Sequence, residues 1–146
     1  MLMGSPNDRD KMQPAADTLE GFGVECDWRV MSAHRSPEAV AAFTKAARSA
    51  GYSAVICGAG MAAHLAGAVA ANTTLPVIGV PLSGGALNGV DALYSTVQMP
   101  KGIPVATVAV DGSMNAALLA IQIIAVTDDD MAAKLTEHRA DQAARR

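Results

Sequence analysis

A chain of 146 residues is about one domain's worth and long enough for a single buried core. A formal net charge of −3 leaves no basic footprint for nucleic acid, and two cysteines build neither a disulfide framework nor a zinc site. Aromatic residues make up only 3% against 51% hydrophobic, so the apolar content is mostly Ala, Val, Leu, Ile and Met, small enough to let helices lie close on a sheet.

Met1, Leu2 and Met3 precede the first loop, so the chain starts late or its first strand is very short. Met12, Ala15, Ala16, Leu19 and Phe22 recur at helical spacing and predict a helix over 8–22, stopped by Gly21 and Gly23. Val24, Cys26, Trp28 and Val30 alternate with Glu25, Asp27 and Arg29, the pattern of a strand with one buried face. Ser36-Pro37-Glu38 reads as an N-cap, a proline at the first helical position and an acid in the first turn, opening a helix to about Ala50. A buried strand over 53–57, a small-residue helix over 61–71, and a strand over 76–80 follow. Beyond the glycine-rich loop Ser83–Gly89 come a helix over 90–99, a strand over 104–110 and a helix over 115–126. Thr127 to Asp130 opens a last helix, acidic at its start and ending at Arg145 and Arg146, as the helix dipole favours.

Strand and helix alternate throughout, which predicts an α/β fold with a parallel sheet and helices on both faces. Residues 1–126 are expected to form the catalytic domain, and 127–146 a C-terminal helix packed on the same or a neighbouring subunit. No Asp, Glu, Lys or Arg occurs between Arg48 and Asp91, but Gly58, Gly60, His64, Asn72 and Pro76 break that run too often for a membrane span. Such a long uncharged run implies unusually complete burial, with neighbouring subunits as candidates for the cover. Nothing in the first residues reads as a secretory signal, so the expectation is a soluble cytoplasmic protein. Cys26 and Cys57, inside apolar runs, read as buried thiols, and His138, in the charged last helix, as a surface residue.

Ligands of a parallel sheet bind beyond the carboxyl ends of its strands, which selects four loops: 4–8, 32–35, 58–64 and 82–89. In the first, Gly4 permits close backbone approach, Ser5 and Asn7 supply donors, and Asp8 suits ribose hydroxyls; the same composition also suits an ordinary capped helix. In the second, Arg35 offers a fork for phosphate and His34 is the best general acid/base, unless both are simply solvated loop residues. Gly58-Ala59-Gly60-Met61-Ala62-Ala63 fits a dinucleotide pattern, yet the ribose-binding acid expected roughly 20 residues on is missing, so the glycines more plainly open space for a small ligand. His64, beside Ala63 and Leu65, reads either as a site residue or as a buried, satisfied histidine. His34 and His64 are too few for a closed metal site.

The stretches GSPND (4–8), MSAHRSP (31–37), GAGMAAHLAG (58–67), TTLPVIGVP (73–81), ALNGVDALYSTVQMPKGIPVATVAV (86–110) and NAALLAIQI (115–123) closely resemble the class I 5-(carboxyamino)imidazole ribonucleotide mutases of purine biosynthesis. SAHR followed by GAG-x-AAHL carries most of the specificity. The resemblance implies a flavodoxin-like three-layer sandwich, a homo-octamer, and neither metal nor organic cofactor. It implies that His34 is catalytic, that Ser5, Asp8, Arg35 and Ser32 bind the nucleotide, and that Gly60 and His64 line the pocket for the carboxylate or CO2. The chain departs from the family pattern at Pro6-Asn7, at Met61 and Ala66, at Ser83-Gly84, and in a loop before Asn115 about two residues shorter than usual. Three alternatives stand beside this reading: a direct CO2-dependent carboxylase of a related nucleotide, a non-catalytic module for a phosphorylated ligand, and a purely structural oligomer subunit.

Overall fold

The computed structural model describes residues 1–145; Arg146, expected to end the last helix, lies outside the described residues. The alternating pattern folds into five parallel strands: β1 (Leu2–Met3), β2 (Arg29–Val30), β3 (Val55–Gly60), β4 (Val77–Leu82) and β5 (Ala106–Thr107). Their order is β2-β1-β3-β4-β5, so β1 is central although it has only two residues. The helices are α1 (Arg9–Gly21), α2 (Pro37–Ala47), α3 (Leu65–Ala70), α4 (Val90–Val97), α5 (Ser113–Ala125) and α6 (Asp129–Ala144). This is the flavodoxin-like α/β sandwich expected.

The strand period of two assigns side chains to two cores. Met3, Ile56, Ile78, Val80 and Leu82 point to the layer of α1, α5 and α6. Leu2, Val55, Cys57 and Val77 point to the layer of α2 and α3. Two glycines let helices approach the sheet. A Cβ on Gly58 would collide with Met12 of α1, and one on Gly79 would collide with Thr96 of α4.

Several boundaries differ from expectation, each for a local reason. The strand expected over 24–30 shrinks to Arg29–Val30, because its only ladder partner is two-residue β1; Val24, Cys26 and Trp28 pack half-buried without a ladder. The strand expected over 104–110 is Ala106–Thr107: Pro104 has no N–H to give, and past Thr107 only Val108 and Asp111 still bond to β4, through Gly79 and Pro81 carbonyls. β3 runs through Gly60, past the expected end at Cys57, so α3 begins at Leu65 and not at Met61. Ser36 does not cap α2 with its side chain; its hydroxyl donates to the Ser32 carbonyl, while Pro37 starts the helix as expected.

Asp128 caps α6, accepting the Met131 N–H at 2.9 Å, and Met131 is buried among α1 and α5 side chains of the same chain. His138, expected at the surface, is half-buried: its ring stands edge-on to Phe22, 5.4 Å between centroids, with Nε2 buried and without a partner among the described residues. Cys57 is buried as expected, its thiol pushed up to about 12 by burial, whereas Cys26 is half-buried. Among the described residues no helix is long and apolar enough to cross a membrane.

Gly79→Ala should therefore destabilise the protein, because Thr96 is buried, β-branched and unable to yield. The expected cost is about 1–3 kcal/mol, the usual range for overpacking. Gly21→Ala, with nothing within 4 Å of the new Cβ, should be neutral or mildly stabilising. Urea unfolding at one fixed protein concentration compares the two.

Candidate active site

Connections from β1 run one way to β2 and then back across β1 to β3, so the strand order reverses between β1 and β3. A crevice forms at the carboxyl ends of strands on either side of such a reversal. Here a cavity of about 740 Å³ is walled by all four selected loops, with Ser5, Asp8, Ser32, His34, Arg35, Gly60, His64 and Ser83 among its lining. A hollow of about 630 Å³ at the opposite ends of the strands, among Leu19, Cys26, Tyr52 and Ile124, gathers none of these groups.

The first loop is pinned where β1 meets β3, by Gly4 N–H donating to the Gly58 carbonyl at 3.1 Å. Ser5 and Asp8 then form a capping box around the 3-10 turn Pro6–Asp8: Ser5 Oγ accepts the Asn7 N–H at 3.3 Å, and Asp8 Oδ2 accepts the Ser5 N–H at 2.9 Å. The capping reading and the binding reading of this loop are thus compatible, since the caps hold both side chains at the cavity wall. Burial pushes the Asp8 carboxyl above its ordinary value, against the opposing pull of the Ser5 amide and the Lys11 charge.

The second loop is organised by Ser32, whose Oγ accepts the Arg35 N–H at 3.3 Å. Arg35 reaches across to donate from Nη2 to the Gly4 carbonyl at 3.1 Å, which binds the second loop to the first. His34 sits beside it, exposed, with Nε2 2.7 Å from His64 Nδ1; the rings are nearly perpendicular, 87° apart, with centroids 4.9 Å apart. His64 is therefore not a buried histidine: it is exposed, and its partner is the other imidazole of the site. One of the two facing nitrogens donates and the other accepts, according to the tautomers of the two rings, and the pair lines the cavity.

β3 ends in the third loop. A Cβ on Gly60 would lie 3.2 Å from the Leu82 carbonyl, which keeps this position small where β3 and β4 run side by side. Met61 then turns the chain at φ 52, in the left-handed region uncommon for a non-glycine residue, and its side chain stands beside Gly85. The walls between are Ala59, Ala62 and Gly84. Among the described residues no three His, Cys, Asp or Glu side chains gather as metal ligands.

Two residues around the cavity went unnoticed in the sequence. Lys11, one helical turn beyond Asp8, lines the cavity, and its ammonium meets Ser83 and Asp111. The i, i+3 step from Asp8 to Lys11 was a legible signal, and so was the position of Asp111 past the end of β5.

The family model described as AIR carboxylase matches residues 1–145. A Brucella melitensis protein named N5-carboxyaminoimidazole ribonucleotide mutase is 51% identical over 144 residues, covering 97% of this chain and 89% of that protein. A Vigna aconitifolia protein named phosphoribosylaminoimidazole carboxylase, chloroplastic, is 46% identical over 141 residues, which is 97% of this chain and 25% of that much longer one. The crystal structure of Treponema denticola PurE superposes with a TM-score of 0.87 at 31% identity, covering 99% of this chain and 90% of that one.

Asp8→Asn tests the electrostatics. A carboxyl whose folded pKa lies above its unfolded value is penalised in the folded state at neutral pH and not below about 3.9, where both states are protonated. An amide oxygen still accepts the Ser5 N–H, so Asp8→Asn should raise the thermal midpoint at pH 7, with the gain shrinking as pH falls towards 4. A midpoint that drops at pH 7 would show that the charge of Asp8 is needed for stability.

Proposed function

The chain belongs to the AIR carboxylase family, and on that premise we propose that it is a mutase converting 5-(carboxyamino)imidazole ribonucleotide to 4-carboxy-aminoimidazole ribonucleotide in purine biosynthesis. The observation that carries the reading is the His34–His64 pair, 2.7 Å apart, at a cavity walled by glycine and alanine. The reaction needs one proton given and one recovered, plus a pocket that retains CO2; the histidine pair supports the first requirement and the glycine and alanine wall the second.

In the proposed course, Arg35, Ser5 and Ser32 hold the nucleotide by its phosphate, and Asp8 accepts from the ribose hydroxyls. His34 gives a proton to the carbamate nitrogen as the nitrogen–carboxyl bond breaks and CO2 is released. The ring carbon attacks the trapped CO2, forming the new carbon–carbon bond. His34, now a free base, removes the proton from that ring carbon, and aromaticity returns. His64 orients the His34 ring through their shared proton. Ala59, Gly60 and Ala62 give the released CO2 a wall of small, uncharged side chains.

A direct carboxylase is the second reading, favoured by the name of the Vigna relative. The two differ in the source of the CO2. Substrate labelled at the carbamate carbon, turned over in unlabelled bicarbonate, should give product that keeps the label. Loss of label at every turnover, with a rate that climbs with bicarbonate, would favour the carboxylase.

His34→Asn should lower kcat by about 100- to 10,000-fold, the usual size of a lost general acid/base, with nucleotide binding largely kept. Near-full activity would reject the assignment. We also propose a cytoplasmic homo-octamer, with residues 1–126 as its catalytic domain and the C-terminal helix α6 packing on the same or a neighbouring subunit. The supporting observation is an apolar stripe at helical spacing, Leu87, Val90, Tyr94 and Val97, which the chain leaves exposed. A monomer by light scattering at micromolar concentration would contradict this.

A further inference from the structure

One wall of the cavity, Ser83 to Gly85, comes from the loop after β4. Gly84 and Gly85 both have positive φ, at 150° and 62°, and no regular structure runs from Ser83 to Gly89. Left to itself, such a segment samples many conformations. Its hydrogen bonds to α1 and to the loop after β5 are all made at Ser83. Ser83 donates its N–H to Asp111 Oδ1 at 2.9 Å and its hydroxyl to Asp111 Oδ2 at 2.5 Å. Its carbonyl oxygen and its hydroxyl oxygen both accept from Lys11 Nζ at 2.5 Å. Lys11 Nζ and Asp111 Oδ1 are themselves 3.7 Å apart. Every polar atom of Ser83 is therefore used, and α1, the loop after β4 and the loop after β5 are joined through it.

We propose that Lys11 is a positioning residue for substrate binding: with Asp111 it clamps Ser83, and so fixes the Ser83–Gly85 wall against which the nucleotide seats. Lone half-exposed ion pairs contribute little. Here both charges share one serine, which makes the pair a network with fixed geometry. Asp111 holds φ 57, uncommon for a residue other than glycine, and its bonds to Ser83 keep it there. Burial opposes ionisation of Asp111, yet the bonds from Ser83 and the charge of Lys11 outweigh it and hold the carboxyl below its ordinary value. Ser83 and the shortened loop that carries Asp111 are also two of the places where this sequence departs from the family pattern. The structure shows those two departures in direct contact.

This inference rests on the mutase reading for its substrate, and its test separates the two. Wild type, Lys11→Met, Lys11→Arg and Asp111→Asn are assayed with the carbamate nucleotide. The amides of residues 83–85 are followed by hydrogen exchange without any substrate. Lys11→Met should raise KM by roughly tenfold, as expected for a lost charge-assisted bond, with kcat changed much less and the thermal midpoint nearly unchanged. Asp111→Asn should move KM in the same direction, and Lys11→Arg should restore most of the affinity. Exchange at 83–85 should quicken in Lys11→Met. Unchanged KM, or unchanged exchange, would overturn the clamp, as would kcat and KM worsening together in step with a lost thermal midpoint. If wild type does not turn over the nucleotide, the mutase reading fails, while the exchange measurement still decides whether Lys11 holds the loop.

Discussion

Gly4 donates its N–H to the carbonyl of Gly58, and the absence of a side chain on Gly58 lets Met12 of α1 press against the sheet at the same place. Everything in the site hangs from this junction. With β1 only two residues long, its register on β3 holds through the pairs Leu2–Cys57 and Met3–Gly58, extended by that one bond. The start of α1 is thereby laid across the end of β3, and the loop bearing Ser5 and Asp8 faces the loop bearing His64. A side chain at position 58 would force the buried Met12 side chain out of its place against the sheet.

Given that junction, the polar groups of the site are held by backbone. Ser5 and Asp8 bond to one another's turn, Ser32 to the turn that presents Arg35, and Arg35 to the carbonyl of Gly4. Each side chain is thus fixed before any ligand arrives, which lowers the entropy lost on binding. The arrangement has an electrostatic cost, seen in Asp8, whose half-buried carboxyl is harder to ionise than an ordinary one. Lys11, one turn further along α1, offsets part of it while its ammonium also holds Ser83.

The long uncharged stretch divides into two parts with different fates. From Val55 to Leu82 its strands and α3 are packed from both sides, and small residues such as Gly79 and Ala66 allow the close fit. At its far end Leu87 and Val90 are exposed, and with Tyr94 and Val97, beyond Asp91 on α4, they form an exposed apolar stripe. Burial by the chain's own fold therefore accounts for the first part alone.

The order of strands and helices, and the four loops that form the site, were legible from period and composition, because a strand buried on both faces and a helix with one apolar stripe leave different spacings in the sequence. His34 and Arg35 were found because chemistry at a strand's carboxyl end is visible as residue type in a loop. The ends of β2 and β5 were not legible: how far an edge strand runs depends on its neighbour, and the length of β1 decides that of β2. His64 beside Ala63 and Leu65 looked as much like a core residue as a site residue, and only the turn at Met61, which brings its ring to 2.7 Å from His34, decided between them. His138 went the other way, drawn against Phe22 by the packing of α6. Local pattern places Lys11 and Asp111 each near a strand's carboxyl end, but their meeting at Ser83 spans most of the chain and follows from no local pattern. Local propensity and period act over a few residues and are written in the sequence directly, whereas contacts between distant charged groups exist only after the sheet has brought its strand ends together.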